Sequence, residues 1–281
     1  MSGNGVAVKT SGLVHIYRAD GHDVAALAGV DLAVAPGDTL ALLGPSGSGK
    51  STLLTLCGGL LRPSAGRLSV GEHELTTMTE RELDVMRARD VGMMLQGASR
   101  NLIPYLTPRE NVAFAQGAAR KAGKEVPVPG EVLEQVGMDE HADAALKDLT
   151  PGHLQLTALA VGVAARPGLL LADEPTSQLH HDAKATVLQA ISDINATNGT
   201  TVVLVTHDPD VASAMGRTIT IRDGRIGAEG RDGEEYAVVT ADGSLPLPPH
   251  VLDDLPPGTL VRVHHTENGW QLHPLDEGDE R

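Results

Sequence analysis

The sequence predicts an α/β fold: a mostly parallel sheet core carrying an inserted helical subdomain, followed by a small β-rich C-terminal domain. Three observations predict it. Thr39–Leu43 is a continuous apolar run without the alternation of a half-buried strand, so it suits a strand covered on both faces. From Gly168 to Arg222, β-like and helical runs alternate in the rhythm of βαβ units. After about Ala228, Gly and Pro punctuate short alternating runs and acidic residues outnumber basic ones, which marks a change of domain.

In chain order, Val6–Thr10, Leu13–Tyr17 and Ala25–Val34 read as strands, the last closed by a tight break at Pro36-Gly37. Thr39–Leu43 follows, and then Lys50–Leu61, whose helical spacing should end before Arg62-Pro63. Between about Thr76 and Leu149 the pattern is helical with charged faces, at Glu80–Arg89, Pro108–Arg120, Pro129–Val136 and His141–Leu146, with a strand at Val91–Leu95. Strand Gly168–Ala172, helix Asp182–Thr197, strand Thr201–Thr206, helix Asp208–Ala214 and strand Thr218–Arg222 complete the core. In the tail, Asn268-Gly269 signals a hairpin turn between Leu260–His265 and Trp270–His273. The expected domains are therefore 1–228, with a helical subdomain over about 76–165, and 229–281.

Composition narrows the function. With 281 residues, 41% of them hydrophobic, the chain can bury a sizeable core, and with only 2% aromatic residues that core must be mainly Ala, Val, Leu and Ile. A net charge of −15 without a basic patch repels phosphate backbones, so no nucleic-acid partner is expected. The one cysteine, Cys57, lies in an apolar helical stretch and reads as a buried small hydrophobe. The N-terminus lacks a basic start followed by an apolar run, and no segment approaches the roughly 18 to 20 apolar residues that cross a bilayer. A membrane role would need a partner.

Gly44-Pro45-Ser46-Gly47-Ser48-Gly49-Lys50-Ser51-Thr52 joins the Thr39–Leu43 strand to a helix, the context a phosphate-binding loop requires. Its glycines let backbone N–H groups curl toward phosphate oxygens, and the helix N-terminus adds positive potential. Lys50 is expected on the β- and γ-phosphates and the Ser51 hydroxyl on Mg²⁺. Downstream, Leu169–Ala172 runs into Asp173-Glu174. Adjacent carboxylates at the end of a buried strand are costly unless they serve a cation or a proton transfer. Asp173 suits the Mg²⁺ shell, and Glu174 suits the base that polarises an attacking water. His207, after the Thr201–Thr206 strand, stands at the same carboxyl edge, where it could contact a γ-phosphate or position the water; Gln96 follows Val91–Leu95.

Over roughly Val6 to Ala228 these residues, in this order and spacing, resemble the ATP-binding cassette family of P-loop NTPases. The resemblance implies ATP and Mg²⁺ as cofactors and ATP hydrolysis as the activity. It makes Gly44–Ser51 the Walker A loop, Gln96 the Q-loop glutamine and a Mg²⁺ ligand, and Asp173 and Glu174 the Walker B aspartate and catalytic base. His207 becomes the switch histidine and Tyr17 the ring that stacks on adenine. Within the family, Ala25-Ala26-Leu27-Ala28-Gly29-Val30, Asn101-Leu102-Ile103-Pro104 and Glu110-Asn111-Val112 resemble the macrolide-efflux and lipoprotein-release ATPases. That implies FtsX-like permease subunits as partners, a second ATPase chain in a homo- or heterodimer, and a cytoplasmic location on the inner face of the membrane through the permease. Two other classes stay open: a nucleotide-binding regulatory subunit with weak hydrolysis, and a soluble ABC ATPase outside transport.

Two departures fall on the surface the family presents to its partner's nucleotide. The signature Leu-Ser-Gly-Gly-Gln reads here Leu149-Thr150-Pro151-Gly152-His153, and the Asp of Ser-Ala-Leu-Asp is His180 in Ser177-Gln178-Leu179-His180. Thr150 keeps a hydroxyl and Gly152 an N–H, but Pro151 has none. Leu154 and Leu156 also replace polar residues. One degenerate ATP site is therefore expected in the dimer. In the tail, Val238–Pro248, Val251-Leu252, Pro257–Val263 and Gly269–Leu272 resemble the AbrB/SpoVT swapped-hairpin domain, which implies a dimerisation module. His264 and His265 alternate faces of a strand, so they read as solvated histidines rather than chelating neighbours.

Overall fold

The computed structural model describes residues 3–19, 22–231, 234–239, 243–247, 249–266 and 269–274. Its elements are β1 (Val8–Ala19), β2 (His22–Val34), β3 (Thr39–Leu43), α1 (Lys50–Cys57), β4 (Ala65–Val70), β5 (His73–Glu74), α2 (Glu80–Arg89), β6 (Val91–Met94), α3 (Pro108–Lys121), α4 (Pro129–Gln135) and α5 (Pro151–Gly162). They continue with β7 (Leu169–Asp173), α6 (His181–Asn198), β8 (Thr201–Val205), α7 (Pro209–Ser213), β9 (Arg217–Arg222), β10 (Arg225–Arg231), β11 (Glu234–Ala237), α8 (Pro249–Leu252), β12 (Val261–Thr266) and β13 (Gly269–Pro274).

The main sheet has the order β11-β10-β9-β3-β8-β7-β6. Its pairs from β9 to β6 are parallel, and β10 and β11 extend it antiparallel. Strand periodicity explains the apolar runs that lack alternation. Leu40 and Leu42 enter one core while Ala41 enters the other; Leu169 and Leu171 separate likewise from Leu170 and Ala172, and Val203 and Val205 from Val202 and Leu204. One core is completed by α1 and an antiparallel sheet ordered β2-β1-β4-β5, the other by α3 to α6. Cys57 lies in the first, where burial pushes its thiol up to about 12, consistent with an inert core side chain.

Several sequence expectations need correction. The two first strands are one, β1, whose register shifts between Thr10 and Leu13 around Gly12 (φ 56°). Helix α1 stops at Cys57, not Leu61, because Gly59 takes a left-handed φ of 66° and the Leu60 N–H reaches back to Thr55 O, closing the helix end. His141–Leu146 forms no α-helix; single 3₁₀ turns at Asp139–His141 and Leu146–Asp148 flank it. β4 and β5 have no counterpart in the pattern reading. The expected division at residue 228 falls inside β10, and pairing carries the main sheet to Ala237. In the tail, β12 and β13 pair from Val261–Pro274 to Thr266–Gly269; Asn268 of the expected turn, and residues 240–242 and 248 of the swapped-hairpin resemblance, lie outside the described residues. Among the described residues no helix is long and apolar enough to cross a membrane.

Candidate functional site

Parallel strands end at one edge, and the order β6-β7-β8-β3 delivers most of the expected site there. Met94 is in register with Ala172, Asp173 with Val205, and Leu42 with Val205. Gln96 therefore lies two residues beyond β6, Asp173 at the end of β7, Glu174 just past it, His207 two residues beyond β8, and Gly44 just past β3.

The loop after β3 has the backbone a phosphate nest needs. Gly44 and Gly49 have φ of 140° and 103°, and a Cβ on them would lie 2.1 Å from Ile221 O and 2.3 Å from Ala26 O. No other residue fits. Lys50 opens α1, is buried to 8% exposure, and donates from Nζ to Gly44 O (2.8 Å) and Pro45 O (2.7 Å). Burial pulls its pKa below the ordinary lysine value, while Glu174 and then Asp173 oppose that shift, so both carboxylates are electrically close to the ammonium. Tyr17, 43% exposed, bonds through its hydroxyl to Thr52 Oγ1 (3.3 Å), and the His15 ring meets its edge at 4.7 Å.

Glu174 Oε1 lies 2.7 Å from His207 Nδ1; the carboxylate side chain is 12% exposed and the imidazole 74%. The Glu174 backbone is left-handed, φ 51°, which costs roughly 1–3 kcal/mol for a non-glycine residue unless its surroundings hold it. Glu174 N–H donates to Val205 O (2.9 Å) and Ser177 N–H to Glu174 O (3.1 Å). Beside His207, Asp208 caps α7 and pairs with Lys184 at 2.6 Å; that bond, with help from the Asp210 N–H, holds its carboxyl below the usual range.

Thr150, Pro151, Gly152, His153 and His180 form a second group, at the starts of α5 and α6. Thr150 caps α5 by accepting from His153 N–H (3.2 Å), and Pro151 occupies the first helical position, where its missing N–H is no loss to the helix. Gly152 packs closely on α6, since a Cβ there would sit 3.2 Å from Ala183 Cβ. His153 stacks on His141 at 4.2 Å; burial first, then His141, pulls its pKa down. His180 stands at the cap position of α6 without making a capping bond. The sequence reading missed Gln155, whose signal is an amide inside the apolar run Leu154–Ala160; it is buried and donates to Pro175 O at 2.6 Å.

The donor set fits a nucleoside triphosphate: a glycine-lined nest at a helix N-terminus, an ammonium, and an exposed ring beside it. Ser51 and Asp173 add the hard oxygen donors a divalent cation takes. Comparison with known proteins agrees with this chemistry. Residues 27–177 match the family described as ABC transporter. The chain is 34% identical over 228 residues to a lipoprotein-releasing system ATP-binding protein LolD of Caulobacter vibrioides, covering 80% of this chain and 96% of that one. It is 37% identical over 218 residues to the macrolide export ATP-binding/permease protein MacB of Syntrophobacter fumaroxidans, covering 76% of this chain but only 30% of that longer protein. The dimeric post-hydrolysis structure of the ATP-binding cassette MJ0796, bound to ADP and Pi, superposes with a TM-score of 0.68 at 30% identity, over 80% of this chain and 98% of that one. With its fold, its nucleotide-binding edge and these relatives in agreement, the chain belongs to the ABC transporter family, as an ATP-binding cassette and ATPase.

Proposed function

We propose that this chain powers FtsX-like permease subunits in export or mechanical transmission, held by them at the cytoplasmic face of the membrane. The observation that carries the hydrolytic part is the Glu174–His207 pair, 2.7 Å apart, at the edge that also bears Lys50 and Asp173. Support for the permease type comes from the likeness to LolD and MacB and from two asparagines in the resembling segments. Asn101 braces the loop after β6 through both its amide atoms to Leu95, and Asn111 accepts from Ile103 N–H. Near that loop Tyr105 and Phe114 are 84% and 68% exposed, and such large apolar side chains suit a protein partner.

In this reading, loop N–H groups and the α1 N-terminus hold the phosphates, and the Lys50 ammonium leaves its two carbonyls for the β- and γ-phosphate oxygens. Mg²⁺, held by Ser51, Gln96 and Asp173, would neutralise charge on the transferred phosphoryl group. Tyr17 stacks on adenine. Glu174 takes the proton of the attacking water, and His207 fixes the orientation of that carboxylate. The test compares Lys50→Ala with Glu174→Gln in the assembled complex by nucleotide affinity and single-turnover hydrolysis. Lys50→Ala should weaken binding, whereas Glu174→Gln should bind normally and trap an ATP-bound dimer. Wild-type hydrolysis by Glu174→Gln would exclude it as the base.

The dimer is proposed to be asymmetric, with one degenerate site. Pro151 has no N–H for the partner's phosphate, and His180 makes no capping bond, so the half-site this chain lends is the weaker one. A partner chain with an intact signature would leave one competent site, built on this chain's own Walker residues.

The C-terminal segment is proposed to add an ATP-independent dimer contact. Pairing puts Val261, Val263, His265, Trp270, Leu272 and Pro274 on one face of the β12–β13 hairpin and Arg262, His264, Gln271 and His273 on the other. On the first face Trp270 is 72% exposed and Val263 54%, and a two-stranded hairpin cannot bury its own apolar face.

A further inference from the structure

We propose that Gln155 is a positioning residue for hydrolysis, tying helix α5 to the strained backbone that carries Glu174. The proposal rests on the reading of Glu174 as the base. Gln155 is 3% exposed, flanked by Leu154 and Leu156, in a helix whose middle is otherwise built from Leu, Ala, Val and one Thr. A buried amide is unfavourable unless it is bonded, so its presence there calls for a partner. That partner is the Pro175 carbonyl, 2.6 Å from Gln155 Nε2, one residue after Glu174.

The bond is made where the chain needs holding. Glu174 sits at φ 51°; its backbone is restrained by bonds to Val205 and from Ser177, which lie within β8 and the turn itself, while its side chain reaches His207. Pro175 has no N–H with which to anchor the turn, so its carbonyl is the available handle. Among the described hydrogen bonds, Gln155 is the side chain that ties the backbone of this turn to a different element, and that element is α5. Helix α5 begins at Thr150–His153, the group proposed to face the partner's nucleotide. A shift of α5 is thereby transmitted, through one hydrogen bond, to the carboxylate of the chain's own site. Because reaction rate is steeply sensitive to the placement of a catalytic group, a small displacement suffices.

The full chain, assembled with its permease, is measured for ATP affinity and single-turnover rate as Gln155→Leu and Gln155→Glu, each with and without Glu174→Gln. Gln155→Leu keeps the volume and loses the donor. It should lower kcat by about 10- to 100-fold and leave KM for ATP within about twofold. In the Glu174→Gln background the same change should alter the residual rate less than about twofold, since two residues that act through one carboxylate are not additive. Gln155→Glu should be as impaired as Gln155→Leu near about pH 8 and recover relative to wild type at lower pH, as its buried carboxyl takes up the proton that lets it donate to Pro175 O. A wild-type kcat for Gln155→Leu, or equal fold losses in both backgrounds, would overturn the proposal while leaving Glu174 as the base. Full activity of Glu174→Gln would overturn the base assignment and the proposal together. Should Gln155→Leu fail to fold, the pH response of Gln155→Glu decides alone, and an impaired rate that does not recover at low pH overturns it.

Discussion

The two halves of the nucleotide machinery are built differently in this chain. The half that would hold its own nucleotide sits on strand ends and on a glycine nest whose backbone no other residue can adopt. The half it would lend to a partner sits on the first turns of α5 and α6, and there Pro151 and His180 depart from the family pattern. A helix start tolerates such changes. Thr150 still caps α5, and proline at the first helical position is favourable, so the fold does not resist the loss of an N–H that only a partner's phosphate would use. The strand-end half has no such latitude, because a Cβ on Gly44 or Gly49 collides with backbone oxygens.

The largest effect that would break this contrast is a repair of the weaker half. Pro151→Gly with His180→Asp, introduced into a homodimer, should raise turnover by up to about 10²–10³, the scale of one oxyanion donor. Robust turnover of the unrepaired homodimer, unchanged by the pair of substitutions, would defeat the asymmetric model. The opposite half is probed by Gly49→Ala. Its Cβ would lie 2.3 Å from Ala26 O, so the loop must shift away from its phosphate-binding geometry, and nucleotide affinity by titration should fall by roughly a hundredfold. Affinity within threefold of wild type would show the nest to be as forgiving as the helix start.

A smaller effect is expected at the hairpin, outside both halves. Trp270→Ala with Leu272→Ala should weaken dimerisation about tenfold or more in sedimentation without nucleotide, while ATP affinity stays unchanged. Identical monomer populations would remove the tail from the interface. The smallest change is Thr150→Ala, which removes the α5 cap and should lower unfolding free energy by about 1 kcal/mol in denaturant titration. No loss would mean that Pro151 alone fixes the helix start.

Much of this was legible from residue order. Thr39–Leu43 and Glu80–Arg89 form the elements their patterns predict, because a strand buried on both faces and a helix with a capping box, Thr79 to Glu82, are specified locally. Errors arose where two signals compete. Helical spacing runs on to Leu61, yet Gly58-Gly59 ends α1 earlier, and His141–Leu146 has helical periodicity in a stretch too short to sustain it.

For the site, the sequence put Lys50 in a phosphate-loop pattern and Asp173 and Glu174 at a strand end, chemical patterns written in neighbouring residues, while His207 took its expected role from the family resemblance. What the sequence could not contain is how β7 and β8 align, which brings Glu174 within 2.7 Å of His207, or that Gln155 meets Pro175 twenty residues away. Local patterns determine which groups the chain carries and which backbone shapes each loop can take. Strand order and helix packing decide which groups meet, because a contact between distant residues is set by the burial of whole faces and not by the residues that happen to touch.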